Sequence, residues 1–222
     1  MAGKSGPNSP LSHCTVCGGA DLAPFMTVAG TCYLRCPDCQ ATLMDRPHWP
    51  NPEQEKAVYD LHENDAADPG YQRFLGKLAQ PLLECVTPGS EGLDFGCGPG
   101  PALAPMLEEA GMTMTLYDPI YRPGGTALER RYDFITCTEV VEHLQDPAGT
   151  FALLARLLRP GGWLAVMTCF QTDDSRFANW HYRRDPTHIV FYRARTLAWL
   201  ASELGWRLEI PVKDVALFHK PA

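Results

Sequence analysis

The stretch "LDFGCGPGP", residues 93–101, decides the fold of this chain. Apolar residues flanking Asp94 are typical of a strand end, and the alternate glycines that follow form a turn whose backbone can press against a ligand: Gly96, Gly98 and Gly100. The dinucleotide fingerprint would need glycine where Pro101 stands, and no Gly-Lys-Ser/Thr ending of a phosphate loop is present. The turn therefore predicts a ligand held by something other than its phosphates.

Strand and helix patterns alternate from residue 92 onward. We expect strands at 92–95, 112–117, 132–138 and 163–170, with helices at 101–109 and 147–158. This alternation predicts an α/β, Rossmann-like sheet, mostly parallel and covered on both faces. Ligands of such sheets bind outside the carboxyl ends of the strands, which is where the glycine turn lies.

Two acidic residues flank this predicted ligand site. Asp118 ends the next strand, 18 residues after Gly100, where a carboxylate can accept hydrogen bonds from vicinal ribose hydroxyls. Asp94 lies where a carboxylate can act, directly or through water, near a cationic amino-acid group. Cys97, inside the turn, is interpreted as a small side chain packed under the ligand.

Several segments in order resemble class I S-adenosylmethionine-dependent methyltransferases, over about residues 90–222. After the glycine turn come "YDFITCTEVVEHLQDP" (132–147), "LLRPGGWLAVMT" (157–168) and "HIVFYRARTLAWLASELGW" (188–206). The resemblance implies an antiparallel terminal strand, and S-adenosyl-L-methionine as the cofactor. It also implies the residues that bind the cofactor: Asp94, Gly96, Cys97, Gly98, Gly100, Asp118 and Glu139.

One stretch departs from that family's pattern. Class I members place a helix, a third strand and an adenine-contacting acid after the ribose acid, but only 14 residues separate Asp118 from Asp133 here. We therefore expect the sheet to be abbreviated around the third strand. Ile120, Tyr121 or a residue near Leu128 would replace the adenine contact.

The N-terminal part contains two pairs of cysteines with metal-ligand spacing. Eighteen residues separate the pairs, which comprise Cys14, Cys17, Cys36 and Cys39. Four thiolates in this pattern predict a closed, structural Zn²⁺ site in a zinc-ribbon-like module of residues 12–45, after a flexible tail of residues 1–11. Its role is open between a folding staple and a docking or substrate-recognition module. The other five cysteines are interpreted as reduced thiols.

Residues 46–89 are predicted to be a helical connector that caps the ligand site of the domain at 90–222. Pro52 suits the first turn of a helix over residues 53–61, and a helical apolar stripe follows from Phe74 to Leu83. Possible ligand contacts on this cap are Tyr59, His62, Asn64 and Tyr71, although packing is the commoner use of such residues.

Candidate catalytic residues lie at two places on the same sheet edge. Glu139, Glu142 and His143 follow the strand at 132–138, and a histidine there can move a proton at neutral pH. The alternative for His143 is a hydrogen-bonded residue that orders the loop. The second place is "DDSRFANWHYRRDPTHIVFY", residues 173–192, a loop expected to cover the pocket, with Asp185 and His188 as catalytic candidates.

The centre of that loop is aromatic and basic, which suits an acceptor with an aromatic or anionic group. Its predicted substrate contacts are Trp180, His181, Tyr182, Arg183 and Arg184. The alternative is an internally bonded loop in which Asp185 caps the turn before Thr187. Pro186 interrupts the helix that would align His181, Asp185 and His188, so no catalytic metal is expected on this loop.

Composition and charge narrow the function. A net charge of −7 disfavours nucleic acid as a partner, and no apolar run reaches the roughly 18 residues of a membrane span. We expect a cytoplasmic methyltransferase acting on a small molecule. The alternatives are an RNA methyltransferase that binds through its zinc ribbon, or a non-catalytic scaffold. The acceptor atom and the oligomeric state are not predicted.

Overall fold

The computed structural model describes residues 9–61 and 68–222. Most of the predicted N-terminal tail, and His62 and Asn64 of the predicted cap, lie outside these ranges. No helix within them is both long and apolar enough to cross a bilayer. The strands in chain order are β1 Ala23–Val28, β2 Thr31–Arg35, β3 Thr42–Met44, β4 Glu91–Phe95, β5 Thr113–Tyr117, β6 Tyr132–Thr138, β7 Leu158–Met167, β8 Val190–Phe191, β9 Arg207–Glu209 and β10 Val215–His219.

The helices lie between these strands. They are α1 Pro52–Tyr59, α2 Pro69–Leu83, α3 Leu103–Glu109, α4 Pro147–Leu157 and α5 Ala194–Leu204. Asp68 caps α2 by accepting hydrogen bonds from the amides of Gly70 and Tyr71, at 3.1 and 2.8 Å. The apolar stripe of α2, including Leu75 and Leu78, is buried against the main sheet and α3. Both α1 and α2 lie within the range predicted to be the helical connector.

The main sheet has six described strands in the order β5-β4-β6-β7-β10-β9. The first four are parallel, and β10 runs antiparallel to both β7 and β9. This confirms the predicted Rossmann-like sheet with its antiparallel end. In the register of the sheet Asp94 lies beside Leu116 on one side and Thr136 on the other, so the ends of β4, β5 and β6 meet at one edge.

The sheet is abbreviated where the sequence departs from the family pattern. Residues 118–131 are all described, and they form a bridge between Asp118 and Arg122 and a 3₁₀ turn at Gly125–Leu128, with no third strand. β5 is therefore an edge of the sheet. The prediction from the short spacing is confirmed.

Several boundaries differ from the predicted ones by a few residues. The helix expected from residue 101 begins at Leu103, because Pro101 and Ala102 still belong to the glycine loop. The strand expected from residue 163 begins at Leu158, which pairs with Tyr132 before the register shifts at the Pro-Gly-Gly segment. The same strand ends at Met167 instead of residue 170, whereas β4, β5 and β6 end at the predicted residues.

A second sheet contains the N-terminal strands. It has the order β1-β2-β3-β8, and every pairing in it is antiparallel. Three of its strands come from the predicted ribbon, whereas β8 comes from the end of the loop at residues 173–192. One hydrophobic cluster joins this second sheet to the rest of the chain, because it includes Tyr33 and Leu43 as well as Phe177 and Phe218.

Candidate active site

The glycine turn after β4 is held by the end of β5. The amides of Gly96 and Cys97 donate to the carbonyl of Tyr117, at 2.8 and 3.1 Å. Gly96 and Gly98 have φ values of 79° and 64°, in the region that favours glycine. A Cβ on Gly96 would approach Val140 Cγ2 to 2.4 Å. Only glycine fits here, so the turn offers bare backbone at the sheet edge.

Asp118 fixes the shape of this cradle. Its Oδ2 accepts a hydrogen bond from the Gly98 amide at 3.0 Å, and its Oδ1 accepts from the amides of Ile120 and Tyr121 at 2.8 and 2.9 Å. The side chain is buried. Each carboxylate oxygen has two lone pairs, so Oδ2 can accept a further hydrogen bond from a ligand. The predicted ribose contact thus also orders the loop after β5.

Asp94 is a buried carboxylate beneath the same turn. The hydroxyl of Thr136 donates to its Oδ1 at 2.8 Å. Burial, and to a lesser extent the charge of Asp118, raises the pKa of Asp94 to about 6. A cationic ligand group would favour its ionised form. Burial also raises the pKa of Cys97 to about 12, which keeps it a thiol next to Gly98 and Gly100.

The helical connector covers this edge of the sheet. Burial raises the pKa of Tyr71, and the charges of Asp94 and Glu139 raise it further, so the Tyr71 hydroxyl lies within electrostatic range of both carboxylates. The Tyr59 ring lies 5.2 Å from that of His143. The two predicted contacts on described residues of the cap therefore face the site.

Glu139 occupies a strained position at the end of β6. Its φ of 53° is in the left-handed region, unusual for a residue with a Cβ, and its amide donates to the carbonyl of Met167 at 2.8 Å. Burial, followed by the charge of Glu142, raises the pKa of Glu139 to about 9. Burial and the neighbouring Glu142 carboxylate therefore favour the protonated form of Glu139.

Glu142 lies at the centre of the site with no solvent exposure. Its Oε1 accepts a hydrogen bond from the Tyr182 hydroxyl at 2.5 Å, and the Thr168 hydroxyl is 3.0 Å from that of Tyr182. Among the described residues, Oε2 of Glu142 has no hydrogen-bond partner. A buried carboxylate oxygen without a partner is costly, which marks this atom as a contact for something that binds.

Two histidines present bare ring nitrogens to Glu142. Nδ1 of His143 lies 3.1 Å from the Thr187 carbonyl, and Nδ1 of His188 lies 2.7 Å from the Tyr182 carbonyl. A carbonyl only accepts, so each Nδ1 carries a proton, and the His143 ring in its neutral form keeps its lone pair on Nε2. The two rings are 4.6 Å apart. Burial lowers the pKa of His143, so its neutral form is favoured.

The ligand atoms of this group converge. One oxygen of Glu142 and one nitrogen each of His143 and His188 all lie within 4.8 Å of one another. His143 Nε2 is 3.8 Å from Glu142 Oε1, and His188 Nε2 is 3.8 Å from Asp185 Oδ2. Of the five predicted catalytic candidates, Glu142, His143, Asp185 and His188 therefore lie close together after the ends of β6 and β7. We call Glu142, His143 and His188 the acceptor-side cluster.

The rest of the covering loop is internally bonded. Asp185 accepts from the amide and the hydroxyl of Thr187, at 2.8 and 2.5 Å, as the alternative interpretation expects. Tyr182 is buried against Glu142, while Trp180 packs on Phe177. The remaining predicted substrate contacts spread outward. His181 and Arg184 are exposed, and Arg183 Nη1 donates to the Tyr33 hydroxyl at 3.4 Å.

Two polar residues of the site were not predicted. Thr136 and Thr168 are fully buried hydrogen-bond partners of Asp94 and Tyr182; Thr136 lies in β6, and Thr168 directly follows β7. Their only signal in the sequence is a hydroxyl near the carboxyl end of a buried strand. Such threonines are also common in strands for packing reasons, so the pattern alone does not distinguish them.

The four predicted zinc ligands also converge. Cys14 Sγ lies 3.6 Å from Cys39 Sγ, and Cys17 Sγ lies 3.4 Å from Cys36 Sγ. Four Zn–S bonds of about 2.3 Å in a tetrahedron would place sulfurs about 3.8 Å apart. The donor set and its spacing fit a tetrahedral metal.

A family model described as "Methyltransferase domain" matches residues 59–209, about two thirds of the chain. The chain belongs to this methyltransferase family. The match includes the glycine turn, Asp118 and the acceptor-side cluster, and it confirms the predicted relation to class I S-adenosylmethionine-dependent methyltransferases.

Several sequence relatives of this methyltransferase share one name. It is 28% identical over 144 residues to the ubiquinone biosynthesis O-methyltransferase of Nitrosospira multiformis, covering 54% of this chain and 55% of the relative. The corresponding protein of Thiobacillus denitrificans is 32% identical over 104 residues, 36% of this chain and 44% of the relative. The chain thus spans about half of the length of these relatives, or less.

Solved structures share the fold at lower identity. The 1,6-didemethyltoxoflavin-N1-methyltransferase of Burkholderia thailandensis, with bound 1,6-didemethyltoxoflavin and S-adenosylhomocysteine, has a TM-score of 0.51 at 17% identity, covering 90% of this chain and all of that one. The magnesium protoporphyrin IX methyltransferase of Synechocystis, with bound SAH, has a TM-score of 0.50 at 13% identity, covering 76% and 94%. These likenesses establish the fold.

Proposed function

We propose that this methyltransferase transfers a methyl group from S-adenosyl-L-methionine to a hydroxyl of a small-molecule acceptor. The observation that carries this proposal is the acceptor-side cluster, buried beside the glycine cradle. A hydroxyl is the acceptor implied by the name of the sequence relatives. A hydroxyl must also lose its proton during the transfer, which gives a buried basic cluster a chemical role.

The cradle has the features that the cofactor requires. Gly96 and Gly98 give the turn its left-handed backbone, Asp118 offers a free acceptor site to ribose hydroxyls, and the buried Asp94 suits the cationic amino-acid end. Tyr71 is half-buried within electrostatic range of Asp94 and Glu139. The bound cofactor supplies an electrophilic methyl group on a sulfonium.

The residues of the chain position the acceptor and remove its proton. His143, neutral and with a bare Nε2, is the proposed general base. Glu142 beside it would stabilise the imidazolium that forms, while Tyr182 and Thr168 hold that carboxylate in place. Alignment of the acceptor with the methyl group supplies much of the rate of an in-line displacement.

A divalent cation is a second candidate for the activating group. The orphaned Oε2 of Glu142 and the two bare Nε2 atoms favour it, because backbone carbonyls fix both ring tautomers as in metal-binding histidines. Such an ion would lower the pKa of a bound hydroxyl. Metal analysis of the purified protein, with activity measured after dialysis against Mg²⁺, Mn²⁺ or Zn²⁺, distinguishes it from a metal-free base.

Net charge disfavours RNA as the acceptor, and two arginines at the covering loop are already ion-paired within the protein. Arg193 is ion-paired with Asp174, which also pairs with Arg35 at 2.9 Å. A scaffold role is disfavoured because a buried carboxylate with an orphaned oxygen is costly to keep without a ligand.

We also propose that Cys14, Cys17, Cys36 and Cys39 bind one structural Zn²⁺. Four sulfur ligands leave no open position for a substrate. Zinc content measured on protein purified without chelator tests this, with about one ion per chain expected.

Calorimetry with S-adenosylmethionine and a transfer assay test the main proposal. We expect binding, followed by transfer of labelled methyl from S-adenosylmethionine into small molecules of a cell extract. Pretreatment of the extract with ribonuclease should leave that label unchanged. Absence of binding at millimolar ligand contradicts the proposed function, and loss of the label with ribonuclease makes RNA the acceptor.

A further inference from the structure

The four-cysteine segment and the acceptor-side loop share one sheet. β3 pairs with β8, with Thr42 opposite Phe191 and Leu43 opposite Val190, and the Met44 amide donates to the Ile189 carbonyl at 2.8 Å. All residues of β3 and β8 are buried. The segment that follows His188 is therefore held in the sheet by the N-terminal module.

Ile189 connects this sheet to the acceptor-side cluster. Its carbonyl accepts from Met44, while its amide donates to the Glu142 carbonyl at 2.9 Å. His188 precedes it directly in the chain. One residue is thus bonded to β3 on one side and to the backbone of Glu142 on the other, so β3 helps to set the distance between His188 and Glu142.

A second row of contacts holds the start of the same loop. The buried hydroxyl of Thr42 donates to Gln171 Oε1 at 2.6 Å. The backbone amide of Gln171 donates to the Tyr192 carbonyl at 2.7 Å. Arg35 of β2 bonds Asp174 at 2.9 Å. Both ends of the loop, residues 171–174 and 189–192, are thereby attached to β2 and β3.

The cysteines determine where β3 lies. Cys36 follows β2 directly, and its amide donates to the Ala41 carbonyl at 3.0 Å, closing the turn that carries Cys39 into β3. The first pair is anchored separately, since the Thr15 carbonyl accepts from the Ala148 amide of α4 at 3.2 Å. An ion bound by both pairs would join the turn before β3 to a fixed point on the main domain.

We propose that the ion at the four cysteines is a positioning element of the active site. It holds residues 169–192 against Glu142, and its loss disables methyl transfer while sparing cofactor binding. The cofactor residues are set by β4, β5 and β6, whose partners in the main sheet are one another and β7. The inference rests on the proposed function only for the transfer readout, because loop order is measured without substrate.

Hydrogen exchange of the full-length protein tests it directly. Zinc is removed with a zinc-selective chelator and restored in a parallel sample, and amide exchange is followed by mass spectrometry. We expect at least about tenfold faster exchange in peptides covering 169–192 as well as 12–45 after zinc removal, with β4 and β5 unchanged. The affinity for S-adenosylmethionine should stay within about twofold.

Two results would overturn the inference. One is faster exchange confined to residues 12–45, which would make the module an independent appendage. The other is loss of S-adenosylmethionine binding together with general exchange, which would make the metal a global staple. If the zinc-loaded protein itself fails to bind S-adenosylmethionine, the proposed function fails, while the exchange pattern still decides the positioning role.

A substitution at Thr42 tests the contact between β3 and the loop while the four cysteines stay in place. Thr42→Val keeps the cysteines but leaves Gln171 Oε1 without its donor. We expect full zinc content, faster exchange at residues 189–192, and a roughly tenfold lower kcat with KM for S-adenosylmethionine unchanged. Thr42→Ser, which keeps the hydroxyl, should restore kcat. Thr27→Val, an exposed position on β1, is the matched control, and equal behaviour of Thr42→Val and Thr27→Val would contradict the inference.

Discussion

Asp94 links cofactor binding to pH. Its folded pKa of about 6 is above the ordinary value of 3.8, so the ionised form destabilises the free protein as pH rises through that window. If the carboxylate faces the cationic end of the cofactor, affinity for S-adenosylmethionine should fall about tenfold per unit of pH below 6. Calorimetry from pH 5 to 8 measures this. In Asp94→Asn the affinity should be low and independent of pH, and a persisting slope would assign the titration elsewhere.

Substitution of Glu142 should slow methyl transfer without weakening cofactor binding. Glu142→Gln keeps the size of the side chain but removes its charge, so we expect methyl transfer to fall at least about 100-fold, the range of general acid–base effects. The dissociation constant of S-adenosylmethionine should change little, since Glu142 lies beyond the cradle. Glu203→Gln on the exposed face of α5 is the control. Unchanged kcat in Glu142→Gln would remove the acceptor-side cluster from the mechanism.

The turn between β4 and α3 depends on one missing methyl group. In Gly96→Ala the new Cβ would meet Val140 at 2.4 Å, at a φ of 79° that alanine rarely adopts. We expect a loss of about 1–3 kcal/mol in the free energy of unfolding and at least about tenfold weaker S-adenosylmethionine binding. Gly124→Ala, with nothing within 4 Å and an ordinary φ of −86°, is the control. Urea titration and calorimetry compare the two variants.

The segments differ in how far the sequence predicted them. β6 was predicted at its observed bounds, because its apolar run ends in the acidic "EVVEH" segment, and the absent third strand followed from counting residues. The pairing of β3 with β8 was not predicted. Its partners lie about 150 residues apart, and β8 is a two-residue strand without a periodic pattern.

The candidate site shows a similar division. The glycine turn and Asp118 are local in sequence, so their role could be inferred from spacing. His181, Asp185 and His188 are neighbours in the chain, and the sequence predicts no catalytic metal bound by these three residues. The structure instead brings His188 to Glu142 and His143, which belong to a different strand end, and no spacing rule reports such a contact.

Cooperativity of unfolding should depend on the metal. One hydrophobic cluster contains Tyr33 and Leu43 from the N-terminal module together with Phe177 and Phe218 from the rest of the chain. We therefore expect a single urea transition for the zinc-loaded protein, with tryptophan fluorescence and far-ultraviolet circular dichroism coinciding. After zinc removal, the fluorescence transition should precede the dichroic one. Two separate transitions in the loaded protein would show that its parts unfold independently.

The open edge at β5 bears on which cofactors this enzyme tolerates. No strand covers residues 118–131, all of which are described, and Ile120 there is 38% exposed. By its resemblance to class I enzymes, the adenine ring would lie along this edge. We expect S-adenosylmethionine carrying a benzyl group on the adenine amine to bind within about tenfold of the natural cofactor in competition assays. Because of its abbreviated edge, this chain would then bind enlarged cofactor analogues, which are used for selective labelling, without further engineering.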